Sequence, residues 1–440
     1  MGPQDDRLRV AWFIESAPKL SEECRLSSYC TSLLLPRMAD RFEIELFSDD
    51  PSSYSGPFAI HHYLTAYSRH REAPFDLFFY QLEDGPRGRV SRMHLGLIPG
   101  VVWVHDLYLQ DKGPEGLYTS PWERTIAQFK GKETEFIDRL SVPHQLWPRA
   151  IREVSLSPVV LFSSQWAFSE FNSFISDRIE CYPGAQIAEY LPVPVEGYQP
   201  IVPKERADVL KLGFVGSVHV EDRAHKILPA IRDAHCRLEL TWLVPRAQLG
   251  RANELLKEFV VEDRVKLIPS NKIEDWRETL THIDVALHAR RSPFGHLAPY
   301  LQHSLAAGKP VVVCDSAEGS SLPKDLVFSV TPGSFESAEL RELLTSLSTS
   351  PLKGIGDRGR EYVFKVSDAD RIADTLTEIF HSSAPLIREC LSRWGDLEKQ
   401  AAESLLQEVL CLAGAQSDQP KGVAAEQILL PVAQELGWVR

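Results

Sequence analysis

The sequence lacks several features that mark whole classes of protein. No apolar run reaches the roughly 20 residues that a membrane-spanning helix needs. Its seven cysteines are scattered and form no Cys-x-x-Cys pair, which argues against a disulfide framework and against a zinc site. The acidic opening, Met-Gly-Pro-Gln-Asp-Asp, is unlike a secretory signal. We therefore expect a cytoplasmic protein with reduced thiols, no transmembrane segment and no metal site.

Positive charge is also scarce, with 48 lysines and arginines against 61 aspartates and glutamates and a net charge of −13. Proteins that bind nucleic acid usually carry a basic surface, so nucleic acid is not an expected partner. A hydrophobic content of 43% and a charged content of 25% are typical of globular proteins. The 440 residues suit two domains of ordinary size.

Short apolar runs alternate with longer amphipathic segments along most of the chain. Such alternation is typical of parallel sheets covered by helices on both faces. The runs predict strands at residues 9–15, 42–47, 77–82, 101–105 and 158–163, and then at 211–218, 239–244, 265–268, 284–289, 310–314 and 326–330.

A Pro-rich stretch, Leu191-Pro-Val-Pro-Val followed by Tyr198-Gln-Pro-Ile-Val-Pro, separates the two series of strands. This composition cannot continue a helix or a central strand, so it predicts an interdomain linker. We expect an α/β protein with an N-terminal Rossmann-like domain (1–195), a linker (196–205), a C-terminal Rossmann-like domain (206–380) and a helical extension (381–440).

Four segments carry a more specific pattern. In the second half these are Leu212-Gly-Phe-Val-Gly-Ser and the stretch from Arg290-Arg-Ser-Pro-Phe-Gly-His to Ala306-Ala-Gly-Lys-Pro-Val-Val. In the first half they are Phe75-Asp-Leu-Phe-Phe-Tyr-Gln-Leu and Ile98-Pro-Gly-Val-Val-Trp-Val-His-Asp-Leu. Together they resemble family 4 glycosyltransferases. The resemblance implies the GT-B architecture, in which two Rossmann-like domains face each other across a cleft.

The resemblance also implies where substrates bind. His105 and Asp106 end a predicted parallel strand, where open α/β sheets place ligands. They are the candidate catalytic pair: His105 would position the reacting hydroxyl, with Asp106 as a base or as its orienter, although the pair could instead cap the following segment. Arg25 would lie on the acceptor side. The candidate donor-binding residues are Gly216, Ser217, Arg223, Arg290, Arg291, Gly295, His296, Leu297 and Ala298. Which of the two adjacent arginines points inward is open.

Three departures from the family pattern bear on chemistry. Depending on the alignment, His296 or His303 stands where relatives have a donor-binding carboxylate. Ser217 and Asp222 stand where many relatives have an arginine and a lysine on the diphosphate. Arg25 lies in a loop where relatives have a glycine that allows close approach of substrate.

The resemblance implies an enzyme that moves a sugar from a nucleotide-diphosphate donor to a carbohydrate, lipid-linked or protein acceptor, with retention of configuration. It implies no cofactor and no metal ion, because positive charge and helix N-termini would stabilise the departing diphosphate. The departures leave open an alternative, a catalytically inactive GT-B-like binding or assembly subunit. In either case the C-terminal helices could pack on a partner or on a second copy of the chain.

Overall fold

The computed structural model describes residues 7–14, 25–48, 50–54, 56–84, 88–107, 109, 150–175, 186–198, 208–219, 222–270, 272–290, 299–315 and 318–392. Within these ranges no helix is both long enough and apolar enough to span a membrane. The same residues contain no group of three or more histidine, cysteine, aspartate or glutamate side chains placed to hold a metal ion.

The first sheet has seven strands in the order β3-β2-β1-β4-β5-β6-β7, and neighbouring strands are parallel. The chain adds β2 and β3 on one side of β1, and it adds β4 to β7 on the other side. The order in which strands are added therefore reverses between β1 and β4. Such a reversal opens a crevice at the carboxyl ends of the strands. The strands are β1 (Arg9–Phe13), β2 (Glu43–Ser48), β3 (Ala59–His62), β4 (Leu77–Leu82), β5 (Val101–Val104), β6 (Val159–Phe162) and β7 (Ile187–Tyr190).

The second sheet repeats this plan with six parallel strands in the order β10-β9-β8-β11-β12-β13. Its reversal lies between β8 and β11. The strands are β8 (Leu210–Val215), β9 (Leu238–Val244), β10 (Val265–Pro269), β11 (Val285–His288), β12 (Val311–Cys314) and β13 (Phe328–Val330).

Helices cover both sheets, as the alternating pattern predicts. They are α1 (Leu26–Met38), α2 (Ala66–Glu72), α3 (Arg89–Leu97), α4 (Ile151–Ser155), α5 (Gln165–Glu170), α6 (Ala224–Arg232), α7 (Leu249–Phe259), α8 (Ile273–Leu280), α9 (Pro299–Ala306), α10 (Glu318–Ser321), α11 (Glu336–Leu347), α12 (Lys353–Ser367) and α13 (Ala369–Ser392). The predicted α/β fold of two Rossmann-like domains is confirmed. Strands β3 and β7 were not predicted, because both lie at sheet edges and are only partly buried.

The chain passes between the domains twice, and the two crossings bond to each other. The Val195 N–H donates to the Ser367 carbonyl at 2.7 Å, and the Ala369 N–H donates to the Val195 carbonyl at 3.1 Å. Helix α13 starts at this point and returns to the first domain. The predicted boundary between residues 380 and 381 therefore falls inside one continuous helix, and residues 393–440 of the predicted extension lie outside the described residues.

The apolar face of α13 forms part of the first domain's core. Its buried residues join the cluster that includes Trp12, Leu34 and Phe79; they are Ile372, Ala373, Leu376, Ile379, Phe380, Ala384 and Ile387. Two ion pairs with α1 and the turn after it flank this contact, Arg37 with Asp370 at 2.6 Å and Arg41 with Asp374 at 2.7 Å. Helix α13 thus packs against the first domain and holds the two interdomain segments, at Val195 and at Ser367–Ala369, next to it.

Replacing Phe380 with alanine should test this role of α13. The Phe380 ring is buried and lies 5.1 Å from Phe79 and 5.5 Å from Phe42 between ring centroids. Its loss leaves a cavity, so we expect the free energy of unfolding to fall by about 3–5 kcal/mol in chemical denaturation. Phe335→Ala is the control, because that ring is 83% exposed and its loss should change stability little. Equal effects of the two substitutions would contradict the assignment.

Candidate functional site

The carboxyl ends of the two sets of strands face each other. Helices α5 and α10, which follow β6 and β12, contact each other across the domain boundary. Near the reversal points, Tyr29 in the first turns of α1 meets His303 of α9 with ring centroids 5.4 Å apart. The polar residues that end the strands of both sheets therefore border one cleft.

His105 directly follows β5 and is 1% exposed. Its Nε2 lies 2.9 Å from the side-chain amide of Gln81, at the end of the neighbouring strand β4. The Trp12 indole N–H, which can only donate, lies 3.1 Å from the same amide, so the Gln81 oxygen must face it. In that orientation the oxygen also accepts from the Thr31 hydroxyl at 2.6 Å, and the nitrogen donates to the Ser27 carbonyl at 3.2 Å and to His105 Nε2.

This network sets the tautomer of His105. Because Nε2 accepts a hydrogen bond, the ring hydrogen lies on Nδ1, which has no hydrogen-bond partner among the described residues. Burial lowers the pKa of His105 to about 3; the nearby Asp106 opposes this shift and Arg25 adds to it. The imidazole is therefore neutral near pH 7 and offers an Nδ1–H donor, which suits positioning an oxygen rather than removing a proton.

Asp106 and Arg25 meet through the backbone of Asp84. The Asp84 N–H donates to Asp106 Oδ2 at 2.8 Å, and the Arg25 guanidinium donates to the Asp84 carbonyl at 2.7 Å. The structure thus brings the predicted residues Arg25, His105 and Asp106 to one corner of the cleft. Their roles stay predictions.

Glu83, which sequence analysis did not single out, organises the same corner. Its carboxylate accepts from the backbone N–H groups of Leu26 and Ser27, both at 3.0 Å, and from the Ser27 hydroxyl at 2.7 Å. Arg25 Nε lies 3.6 Å from the same carboxylate. Glu83 therefore caps the N-terminus of α1 from a strand end 57 residues away in sequence. The only sequence signal for a role of Glu83 is its position directly after β4.

On the second domain, the turn after β8 holds Gly216 and Ser217. A Cβ at Gly216 would lie 2.6 Å from Cζ of Phe214, so any other residue there would force the Phe214 ring to shift. The Ser217 N–H and hydroxyl both donate to Asp222 Oδ2, at 2.7 and 2.5 Å. Arg290, at the end of β11, places Nε 3.3 Å from Asp222 Oδ1 and supplies the positive charge opposite this carboxylate.

Arg223 does not point its guanidinium at this turn. It is 7% exposed, has a left-handed backbone (φ 63°) and forms a bidentate ion pair with Glu336 at the start of α11, with Nε 2.9 Å from Oε1. The hydrogen bond to Glu336 raises the pKa of Arg223 further above its ordinary value. The other predicted donor-binding residues, Arg291, Gly295, His296, Leu297 and Ala298, lie outside the described residues.

His303 is buried where one alignment of the resemblance places a ribose-binding carboxylate. Its Nδ1 lies 2.5 Å from the Tyr198 hydroxyl, and the rings of Tyr29 and Tyr198 each lie 5.4 Å from its centroid. Burial, assisted by Arg277, lowers the pKa of His303 to about 3. His303 is thus a neutral imidazole that contacts Tyr29 of the first domain.

The sequence and the structure were compared with those of known proteins. No protein-family model matches the chain, and no curated protein matches it in sequence. Solved structures do match. Sucrose-phosphate synthase from Thermosynechococcus elongatus has a TM-score of 0.61 and 14% identity, over 86% of this chain and 99% of that one. HepE of Anabaena, in complex with UDP and glucose, has a TM-score of 0.60 and 13% identity, over 86% and 100%.

A third similar structure is WaaG, a glycosyltransferase involved in lipopolysaccharide biosynthesis, with a TM-score of 0.54 and 14% identity over 84% of this chain and 99% of that one. At such identities the similarity establishes architecture alone. The chain has the GT-B fold of two facing Rossmann-like domains with a helical C-terminal region, as the resemblance implies.

The buried histidines predict a loss of stability in acid. His94, His105 and His303 each have a pKa lowered by burial to about 3. In the unfolded chain histidine titrates near pH 6.5, so below that pH the unfolded state binds more protons. This contribution to stability is complete above about pH 6.5 and is lost as pH falls towards 3, at about 1.4 kcal/mol per pH unit for each histidine.

His94→Phe should make this pH dependence shallower by about one histidine's share. Both ring nitrogens of His94 lack a partner within the described ranges, and its ring packs between those of Phe13 and Tyr63 at 4.8 and 5.5 Å. The measurement is the free energy of unfolding at several pH values between about 5 and 7.5. His282→Gln, at an exposed site, should leave the slope unchanged. An unaltered slope in His94→Phe would refute the assignment.

Proposed function

We propose that this protein transfers a sugar from a nucleotide-diphosphate donor to a hydroxyl acceptor. The observation that carries the proposal is that each of the two facing domains places hydrogen-bond donors at its strand ends. The second domain offers a glycine turn with the Ser217 N–H and the Arg290 guanidinium. The first domain offers the buried, neutral His105 with its Nδ1–H. The binding of UDP and glucose by HepE, which shares the fold, agrees with this reading.

The diphosphate is assigned to the turn after β8. Gly216 and Ser217 lie in this turn between β8 and α6, and Ser217 supplies an N–H and a hydroxyl. Arg290 is permanently charged and stands at the adjacent strand end, where it can pair with phosphate oxygens. In the proposed reaction these groups stabilise the departing diphosphate, so that no metal ion is assigned to the step.

The sugar and the acceptor are assigned to the corner formed by Arg25, His105 and Asp106. The acceptor oxygen bonds to the anomeric carbon while the bond from that carbon to the diphosphate oxygen breaks, and the acceptor's proton passes to the departing phosphate. His105 holds a sugar or acceptor oxygen through Nδ1–H, and Asp106 fixes the strand end through the Asp84 N–H. Retention of configuration, a carbohydrate, lipid-linked or protein acceptor and a cytoplasmic location belong to this proposal.

A second candidate function is a binding or assembly subunit without turnover. Three observations favour it. Asp222 occupies the Ser217 N–H, Arg223 is paired with Glu336, and His303, which one alignment places where relatives have a carboxylate, is neutral. Under this alternative the C-terminal helices would bind a partner. Transfer by the wild-type protein from any nucleotide sugar that it binds would exclude this second function.

His105→Ala should lower the rate of sugar transfer by roughly 10²–10³-fold, because one preorganised donor is lost. Transfer is measured with a panel of UDP-, GDP- and ADP-sugars, at a temperature below the thermal unfolding midpoint of each variant. The His105 ring packs 4.7 Å from that of Trp103, so the midpoint is measured in parallel. His105→Asn retains a polar partner for Gln81 and is the matched variant for stability. A folded His105→Ala protein with wild-type turnover would defeat the catalytic role.

Arg290→Ala should weaken binding of nucleoside diphosphates by about 10- to 150-fold, since a charge-assisted bond to phosphate contributes roughly 1.5–3 kcal/mol. Titration calorimetry with UDP, GDP and ADP measures the effect. Arg232→Ala is the control, because Arg232 pairs with Asp233 on the surface at the far end of α6. Unchanged affinity in Arg290→Ala and in the double variant with Arg291→Ala would remove the donor site from this turn.

A further inference from the structure

The donors expected to bind a phosphate converge instead on Asp222. Its Oδ2 accepts from the Ser217 N–H at 2.7 Å and from the Ser217 hydroxyl at 2.5 Å, and its Oδ1 lies 3.3 Å from Arg290 Nε. A backbone N–H, a hydroxyl and a guanidinium are the groups that bind phosphate oxygens in proteins. The Asp222 side chain is only 14% exposed, so the carboxylate is seated in the turn and does not merely lie over it.

The N–H groups of the residues on either side of Ser217 are also bonded within the chain. The Gly216 N–H donates to the Leu243 carbonyl at 3.1 Å, and the Val218 N–H donates to Gln248 Oε1 at 2.8 Å. The His219 N–H donates to the Ser217 hydroxyl at 3.1 Å. A phosphate that binds the N–H groups of residues 216–219 must therefore replace an existing partner. Asp222 is the negatively charged partner among them.

Asp222 also packs against the side of Gly216 on which other residues carry a Cβ. A Cβ at Gly216 would come within 3.1 Å of Asp222 Cβ. The carboxylate itself occupies the donors that the proposed function assigns to the diphosphate. Two negative groups a few ångströms apart repel each other strongly in a partly buried site, so the carboxylate and the phosphate exclude each other.

We propose that Asp222 is an internal competitor of the nucleotide diphosphate and keeps the donor affinity of this cleft low. This inference rests on the proposed function, because it concerns the same donor site. When the nucleotide binds, Asp222 leaves the Ser217 N–H and Arg290 moves its charge from the carboxylate to the phosphate. Asp222 thus determines affinity through the groups that it occupies.

The test compares Asp222→Asn and Asp222→Ala with the wild type, with inorganic pyrophosphate and UDP as probes. Both variants remove the negative charge, and asparagine keeps an acceptor for Ser217. We expect both to bind the probes at least tenfold more tightly, which corresponds to about 1.4 kcal/mol. Asp233→Asn is the matched control: it also breaks an arginine–aspartate pair, Arg232–Asp233 at 2.7 Å, in the same domain, and should leave affinity unchanged.

A second readout separates competition from a purely structural role. Asp222→Ala leaves the Ser217 N–H without its partner, so its unfolding midpoint without added anion should fall below that of the wild type. Pyrophosphate should restore this midpoint and raise it more than it raises the wild-type midpoint, by mass action. Adding Arg290→Ala to Asp222→Ala should abolish the gain in affinity, because the released guanidinium would no longer be present.

The outcomes distinguish this inference from the proposed function. Equal affinity of wild type and both variants for the probes, or loss of stability in Asp222→Ala without rescue by pyrophosphate, overturns the competitor role and leaves the transfer assay unaffected. Tighter anion binding by the variants supports it, even where neither the wild type nor the variants transfer sugar. In that case the proposed function fails and the internal competition stands.

Discussion

Burial of the parallel strands on both faces is the constraint on which the rest of this structure depends. Strands β4 and β5 are buried along their whole lengths, since helices cover the sheet above and below. Few polar side chains can point out of such strands, so charged groups appear where the strands end. Because the strands are parallel, those ends lie at one edge, and the facing arrangement of the two sheets brings both edges to a single cleft. The candidate site is a consequence of the sheet.

The strand ends carry carboxylates as well as cations, and the chain bonds them to its own backbone donors. Glu83 caps the N-terminus of α1, and Asp222 binds the turn after β8. Each sits beside an arginine, Arg25 in the first domain and Arg290 in the second. In both halves of the cleft, a carboxylate thus accepts from backbone N–H groups and lies beside an arginine that balances its charge. An incoming anion has to compete with these internal bonds.

The connection between the domains depends on contacts that are distant in sequence. Phe380 and the rest of the apolar face of α13 pack on the first sheet, although the helix follows the second domain in the chain. Periodicity predicted helices near the C-terminus, yet it could not show that one of them starts at residue 369 and returns across the boundary. The face that a helix buries is set by its sequence, whereas the surface that receives this face is set by the path of the chain.

The sequence by itself determined the two series of strands, the Pro-rich division between them and the strand-end positions of His105, Asp106, Ser217 and Arg290. These follow from local patterns, because apolar runs and glycine turns act over a few residues. Only the tertiary structure decided the tautomer of His105, through Gln81 and Trp12, and the partner of Arg223, which is Glu336, 113 residues away. It also decided that Arg290 faces Asp222. Such pairings depend on which strand ends become neighbours, and hydrogen-bond geometry within a few ångströms cannot be read from spacing along a chain.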